Sequence, residues 1–287
     1  MSLLKLHAPA KVNLSLRVIG KRSDGYHLLR MVMVKLKLGD ELTFESLPQG
    51  IEFTTIGELD AGMSGDQNLV VRAAKALQMK TGVKQGARIT LTKQTPVAAG
   101  LGGGSSDAAT ALMGLNTLWG CHLASTELAK IGETLGADVP FFCFPGSALV
   151  EGIGEQVIPL ASMPLLNLVL INPGFAVSTK WVFGELQKWF SQLTVENAND
   201  SNSPLFQTVE DVCQTLHNDL EMVTIPAYPE IVRIKSFLKE QGAAGTLMSG
   251  SGPTVFGIFA DEASRDRAAY QARQQSSTWR VFATETL

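Results

Sequence analysis

The chain has 287 residues, of which 45% are apolar and 18% charged, and its formal net charge is −3. Such a balance supports a substantial core, in one large domain or two ordinary ones, and excludes a disordered chain. The small net charge provides no general electrostatic attraction for nucleic acid.

In chain order, Val12, Leu14, Leu16 and Val18 alternate with Lys11, Asn13, Ser15 and Arg17. This is the period of a half-buried strand whose polar face carries Lys11 and Asn13. Residues 30–38 repeat the alternation through Val32, Val34, Leu36 and Leu38, and residues 42–46 and 51–56 read as further strands. A helix opens at Asp66-Gln67-Asn68, turns Leu69, Ala73, Ala76 and Leu77 inward and stops at Gly82. A strand over 88–93 leads into a glycine run, and the helix behind it aligns Ala108, Leu112, Leu115 and Trp119. A shorter helix, capped by Ser125 or Thr126, ends at Gly136, and residues 138–144 leave it as an extended segment. Beyond lie strands over 148–151 and 165–171, a helix through Val182, Leu186 and Trp189, and a polar linker over 194–204. Helices over 205–220, 230–240 and 261–275 then mix with strands over 246–248, 254–259 and 280–284. Strands and helices do not strictly alternate, which favours an α+β fold over a doubly wound parallel sheet. The expected division is 1–160 and 161–287.

No signal-type apolar stretch is visible at the N-terminus, and the apolar run 163–171 is interrupted by Pro164 and Asn167. It is too short for a bilayer span, which takes about 20 residues. Three scattered cysteines, Cys121, Cys143 and Cys213, suit buried thiols in a reducing compartment. The expectation is a soluble cytoplasmic protein with no membrane or nucleic-acid partner.

The most specific stretch is Pro96-Val97-Ala98-Ala99-Gly100-Leu101-Gly102-Gly103-Gly104-Ser105-Ser106. Glycines let backbone N–H groups converge on one point, and a helix N-terminus just behind adds free donors and partial positive charge. The combination fits the phosphates of a nucleotide; the alternative is a flexible spacer, which the apolar flanks oppose. No Walker A lysine follows the glycines, and Ser105 stands where a dinucleotide fingerprint needs its third glycine. Ser105 and Ser106 can contact phosphate or cap the helix. Asp107, in the first turn, is expected to point outward, away from a phosphate it would repel.

The pattern Pro-x-x-x-Gly-Leu-Gly-Gly-Gly-Ser-Ser-x-Ala-Ala resembles the phosphate loop of the GHMP kinases. Three further segments sharpen the match: Ala8-Pro9-Ala10-Lys11-Val12-Asn13, Arg22-Ser23-Asp24-Gly25-Tyr26-His27, and Leu135-Gly136-Ala137-Asp138-Val139-Pro140. Met248-Ser249-Gly250-Ser251-Gly252-Pro253-Thr254 is similar to the C-terminal glycine motif of the same superfamily. The resemblance spans nearly the whole chain. It implies a fold of two α/β-sandwich halves, the first resembling a ribosomal-protein domain, with the active site in a cleft between them. It also implies an ATP-dependent kinase using Mg2+, of the branch whose acceptor is a cytidine diphosphate-linked sugar alcohol. Acceptors such as mevalonate, phosphomevalonate or homoserine, or a non-catalytic binding role, are the alternatives.

On that resemblance Asp138 is the general base and Lys11 its partner, orienting it and stabilising charge at the reacting oxygen; a plain salt bridge is the other reading. Asn13 shares the face of Lys11 and would bind substrate. Tyr26 and His27 follow a turn signal and would hold the cytosine, with Phe183 completing the stack. Without the resemblance, Tyr26 reads as a half-buried ring, His27 as an exposed turn residue and Phe183 as core. Asn68 and Lys93 would touch ATP, or else cap a helix and end a strand. No metal ligands are assigned; His7, His122 and His217 lack ligand spacing.

Overall fold

The computed structural model describes residues 3–57, 65–186, 188 and 204–287. The alternation at the start of the chain forms β1 (Leu4–Lys21), paired antiparallel with β2 (His27–Leu47). The runs expected at 30–38 and 42–46 are one strand. A register shift between Pro9 and Lys11 takes up the bend, so the ladder continues through Gly39 and Asp40. β3 (Ile51–Ile56), β4 (Gly86–Thr92), β5 (Ala148–Gly152), β6 (Gln156–Pro159) and the two-residue β8 (His217–Asn218) complete this sheet. Among the described residues it has seven strands along the path β3-β4-β2-β1-β8, with β5 on β2 and β6 on β5.

The second sheet is antiparallel, in the order β11-β7-β10-β9, from β7 (Asn167–Asn172), β9 (Gly245–Met248), β10 (Val255–Phe259) and β11 (Arg280–Glu285). Period two decides how the sheets meet. Ala10, Val12 and Leu14 of β1 and Val34 and Leu36 of β2 share one core with Leu168, Leu170, Phe256 and Ile258 of the second sheet. The alternate face of β1, with Lys11 and Asn13, is buried too, under the helices that cover the first sheet. It is not the solvated half of a half-buried strand.

Those helices are α1 (Leu69–Thr81), α2 (Gly103–Leu118), α3 (Ser125–Glu133) and α4 (Val139–Phe142). Asn68 caps α1, its side chain accepting from the Val70 N–H at 2.9 Å. The helix α2 begins inside the glycine run, at Gly103, so Ser105 and Ser106 lie within it and neither is its cap. At α3 the Glu127 carboxylate accepts from the Ala124 N–H, so the cap lies one residue before Ser125; the helix stops at Glu133, short of Gly136. Residues 139–142, expected to be extended, form a single helical turn. Pro140 is tolerated there because a first-turn N–H has no intrahelical partner to lose, and Phe141 and Phe142 are buried by closing the turn.

In the second half, α5 (Thr179–Leu186) carries Val182 and Leu186 inward, whereas Trp189 and residues 194–203 of the expected linker lie outside the described residues. The helix expected over 205–220 is only α6 (Val209–Thr215). His217 and Asn218 then join β1, and Leu216, at φ −58 and ψ 115, ends the helical path. α7 (Glu221–Ala227) follows, and α8 (Glu230–Glu240) and α9 (Glu262–Gln275) cover the outer face of the second sheet. The layering is helices, sheet, sheet, helices, an α+β fold.

Candidate active site

A cavity of about 700 Å³ opens where the glycine run, β1, α1, α4 and α5 converge. Lys11, Asn13, Asn68, Lys93, Pro96, Val97, Ala98, Ala99, Gly100, Leu101, Gly102, Gly103, Gly104, Ser105, Asp138 and Phe183 all line it. Residues far apart in sequence thus share one concave site, the usual setting for a small-molecule ligand.

The loop is shaped by close approach. Gly100 faces the Ser249 carbonyl, and the Ser249 hydroxyl donates to the Gly100 carbonyl at 2.9 Å, locking the two glycine motifs together. Gly102, at φ 67, is the residue before α2; a Cβ there would lie 2.9 Å from Lys11 Cγ and 3.0 Å from Phe142 Cζ. Only glycine combines that backbone with that clearance. The α2 N-terminus behind it presents free N–H groups and the positive end of the helix dipole, suited to phosphate.

Lys11 is 4% exposed, and its Nζ donates to Asn13 Oδ1 at 2.6 Å and stands 3.8 Å from Asp138 Oδ2. Burial pushes the Lys11 ammonium down from its ordinary range, and the Asp138 charge opposes that fall. Asp138 precedes α4 without capping it, leaving its partly exposed carboxylate on the cavity wall. An acid with a cation beside it is the arrangement expected of a general base with an electrostatic partner.

Lys93 does not end its strand in solvent. Its buried Nζ donates to Asp40 Oδ2 at 2.6 Å and Asp107 Oδ2 at 2.7 Å. Asp107 therefore turns inward, against expectation. Burial pushes its carboxyl up to about 7, against the pull of Lys93, with the nearby Asp40 raising it further. Asp40 goes the other way: burial would raise it, but Lys93 and the hydrogen bonds from Lys93 and Thr95 hold it low. The two shifts are compatible, because Asp40 also accepts from the backbone of Gln94 and Thr95, whereas Asp107 Oδ1 has no hydrogen-bond partner. Asp40 is the ionised member.

His27 and Phe183, separated widely in sequence, stack with ring centroids 5.3 Å apart and planes at 27°. Phe183 lines the cavity; His27 lies behind it, its pKa lowered first by burial and then by Lys21. Tyr26 is 61% exposed and is not brought to the cavity wall, and Ser106 is buried in α2 away from it. Asn68 caps α1, the structural alternative considered for it, and also lines the cavity. Sequence reasoning missed Asp40, which accepts from Lys93 and from the Thr95 hydroxyl, and Thr179, whose hydroxyl meets that of Ser251 at 2.8 Å on the wall. Ser251 lies in a motif the sequence displays; Asp40 and Thr179 carry no local signal.

Residues 68–146 match the family described as GHMP kinases N terminal domain, and residues 204–277 match GHMP kinases C terminal. The 4-diphosphocytidyl-2-C-methyl-D-erythritol kinase of Geobacter metallireducens is 49% identical, with the alignment covering all of both chains. The chain belongs to the 4-diphosphocytidyl-2-C-methyl-D-erythritol kinase family, within the GHMP kinases. A crystal structure of a 4-(cytidine 5'-diphospho)-2C-methyl-D-erythritol kinase superposes with a TM-score of 0.80 at 32% identity, covering 99% of each chain. L. major mevalonate kinase, at 15% identity and a TM-score of 0.75 over 99% of this chain and 95% of that one, shares the fold. Membership makes the chain a phosphotransferase of a family that takes its phosphate from ATP. No helix among the described residues is long and apolar enough to cross a membrane.

Proposed function

We propose that the chain transfers the γ-phosphoryl group of ATP to the 2-hydroxyl of 4-diphosphocytidyl-2-C-methyl-D-erythritol, in the cytoplasm, as a step toward isoprenoid precursors. The observation that carries this reading is the Lys11–Asp138 pair, 3.8 Å apart, on the wall of the same cavity as the glycine loop. Donor phosphates lie against the backbone of residues 100–104 and the α2 N-terminus, and Ser105 adds its hydroxyl. Asp138 accepts the proton of the attacking hydroxyl, and Lys11, held by Asn13, stabilises charge on the oxygens in transfer. Asn68 and Lys93 serve the nucleotide side. Phe183, backed by His27, stacks on the cytosine, and Tyr26, exposed and next to His27 in the chain, would reach it only by moving to the cavity. In domain terms, residues 1–160 hold ATP and residues 161–287 close the acceptor side.

Mg2+ accompanies ATP in this reading. Among the described residues no three His, Cys, Asp or Glu side chains gather to hold a metal, and the two carboxylates lining the cavity are engaged by lysines. That donor set fits an ion carried by phosphate oxygens and water, which is how Mg2+ is commonly held beside a nucleotide. When bound it neutralises charge on the phosphates.

The test follows ADP release by purified protein with Mg·ATP and a panel of acceptors: the cytidine diphosphate conjugate, mevalonate and homoserine. Turnover with the conjugate alone is expected, and Asp138→Asn should lower kcat by about 10²-fold or more while ATP still binds. Turnover of mevalonate but not the conjugate refutes the acceptor; full activity of the variant removes Asp138 from the base role.

A further inference from the structure

Lys35 is a second lysine near the reacting pair that nothing above uses. It lies on β2 directly opposite Lys11 on β1, so the two side chains project from the same face of the sheet. Like charges in that relation are unfavourable, and Lys35 is only 7% exposed. Among the described residues it forms no ion pair with a carboxylate. An apolar side chain would fill the position with less desolvation.

What the ammonium does touch is the segment that begins with Asp138. Lys35 Nζ donates to the Phe144 carbonyl and lies 5.0 Å from the Phe141 ring centroid and 5.8 Å from that of Phe142. Both are cation–π distances. The two opposed lysines therefore meet the two ends of one short segment: Lys11 at Asp138, Lys35 at Phe144. Phe142, between those ends, also packs close to Gly102, where an added methyl would come within 3.0 Å of its ring. A displacement of residues 139–144 would move the base and press on the phosphate loop together.

We propose that Lys35 is a positioning residue for phosphoryl transfer: it fixes the far end of the α4 segment and so sets the placement of Asp138 against Lys11 and the glycine loop. The proposal rests on the reading of Asp138 and Lys11 as the reacting pair. A base misplaced by about 1 Å can lose as much as 10²-fold in rate without any loss of substrate contacts. The groups facing Lys35 are Cys143 of the same segment, the Phe144 carbonyl and Lys11 across the strand pair. Burial pushes the Cys143 thiol up to about 12, so it stays uncharged, and brings the Lys35 ammonium down to about 8. Above that pH the ammonium loses its proton, and with it the charge-assisted hydrogen bond and the hold on the two rings.

The experiment compares wild type, Lys35→Met, Lys35→Arg and Asp138→Asn as full chains, with kcat and both KM values measured from pH 6.5 to 9. In Lys35→Met kcat should fall about tenfold at pH 7.5, with both KM values within twofold of wild type. Lys35→Arg, which remains charged, should recover most of kcat. Wild-type kcat should decline as pH passes about 8, and that decline should be absent from both variants. Full kcat in a folded Lys35→Met refutes the proposal, as does a loss spread equally over kcat and both KM values that Lys35→Arg does not rescue. Should Lys35→Met not fold, the wild-type profile decides: a kcat that stays level through pH 8 refutes the proposal. If Asp138→Asn is itself active, the underlying assignment fails instead, so the two failures are distinguishable.

Discussion

Substituting Gly102 by alanine tests the geometry on which the site depends. Two effects add. The residue sits at φ 67, where an L side chain costs about 1–2 kcal/mol relative to glycine. The new methyl must also find room 2.9 Å from Lys11 Cγ, 3.1 Å from Lys11 Cε and 3.0 Å from Phe142 Cζ. The lysine stem is the flexible neighbour, so it should yield first. Its head is held by Asn13 at 2.6 Å, and moving the stem widens the 3.8 Å gap to Asp138. The expected result is a melting temperature lower by roughly 2–6 °C, from about 1–2 kcal/mol in a chain of this size, with kcat down about 10- to 100-fold. Calorimetry and ADP-release kinetics read the two effects separately. Gly104→Ala is the stability control: its Cβ would meet only Leu69 Cδ1 at 3.7 Å inside α2, where alanine is about 1 kcal/mol better than glycine, so it should melt no lower than wild type. A Gly102→Ala protein with wild-type melting and wild-type kcat would show the reasoning to be wrong.

Phe183→Ala removes the ring between His27 and the cavity; we expect KM for the cytidine diphosphate acceptor to rise about five- to tenfold with KM for ATP within twofold, and equal changes in both would contradict an acceptor role. Asp107→Asn addresses the charge cluster. Because the folded carboxyl titrates near 7 and an unfolded one near 4, the native state holds the extra proton between those values, so stability is lost as pH rises through that window. The urea midpoint of wild type should therefore fall relative to that of the variant between pH 5 and 8, and parallel curves would refute the assignment of the proton to Asp107.

How much could be read beforehand depended on whether the information was local. The glycine run is contiguous, so the expectation of a phosphate cradle rests on residues 96–106 alone, and the structure places residues 96–105 together on one cavity wall. Strand alternation in β1 was equally local, but period two cannot tell a face that meets water from one that meets other helices; Lys11 and Asn13 are buried for a tertiary reason. Residues 139–142 are expected to be extended, but Pro140 at the head of one helical turn costs no intrahelical hydrogen bond, so the sequence does not exclude the turn that forms. Residues 216–218 break from α6 because Asn218 is needed beside β1, its amide donating to the Met248 and Gly250 carbonyls at 2.8 Å each. No nearby residue signals that requirement.

The charge on Asp107 shows the same limit from the side of energetics. Read from sequence as a first-turn carboxylate, Asp107 looks repulsive to a phosphate and is expected to point outward; with α2 starting at Gly103 it lies in the second turn. Burial supplies a different escape. With Asp40 ionised and accepting from Lys93, Gln94 and Thr95, one lysine proton donor balances one carboxylate. Asp107, shifted up to about 7, then carries only part of a full charge near neutrality. The trio carries less net negative charge than two ionised carboxylates beside one lysine would, which leaves more of the positive field of the free N–H groups and the helix dipole at the α2 N-terminus. The acid that seemed to oppose phosphate binding is compatible with it because Asp40, far away in sequence, takes the ionised role.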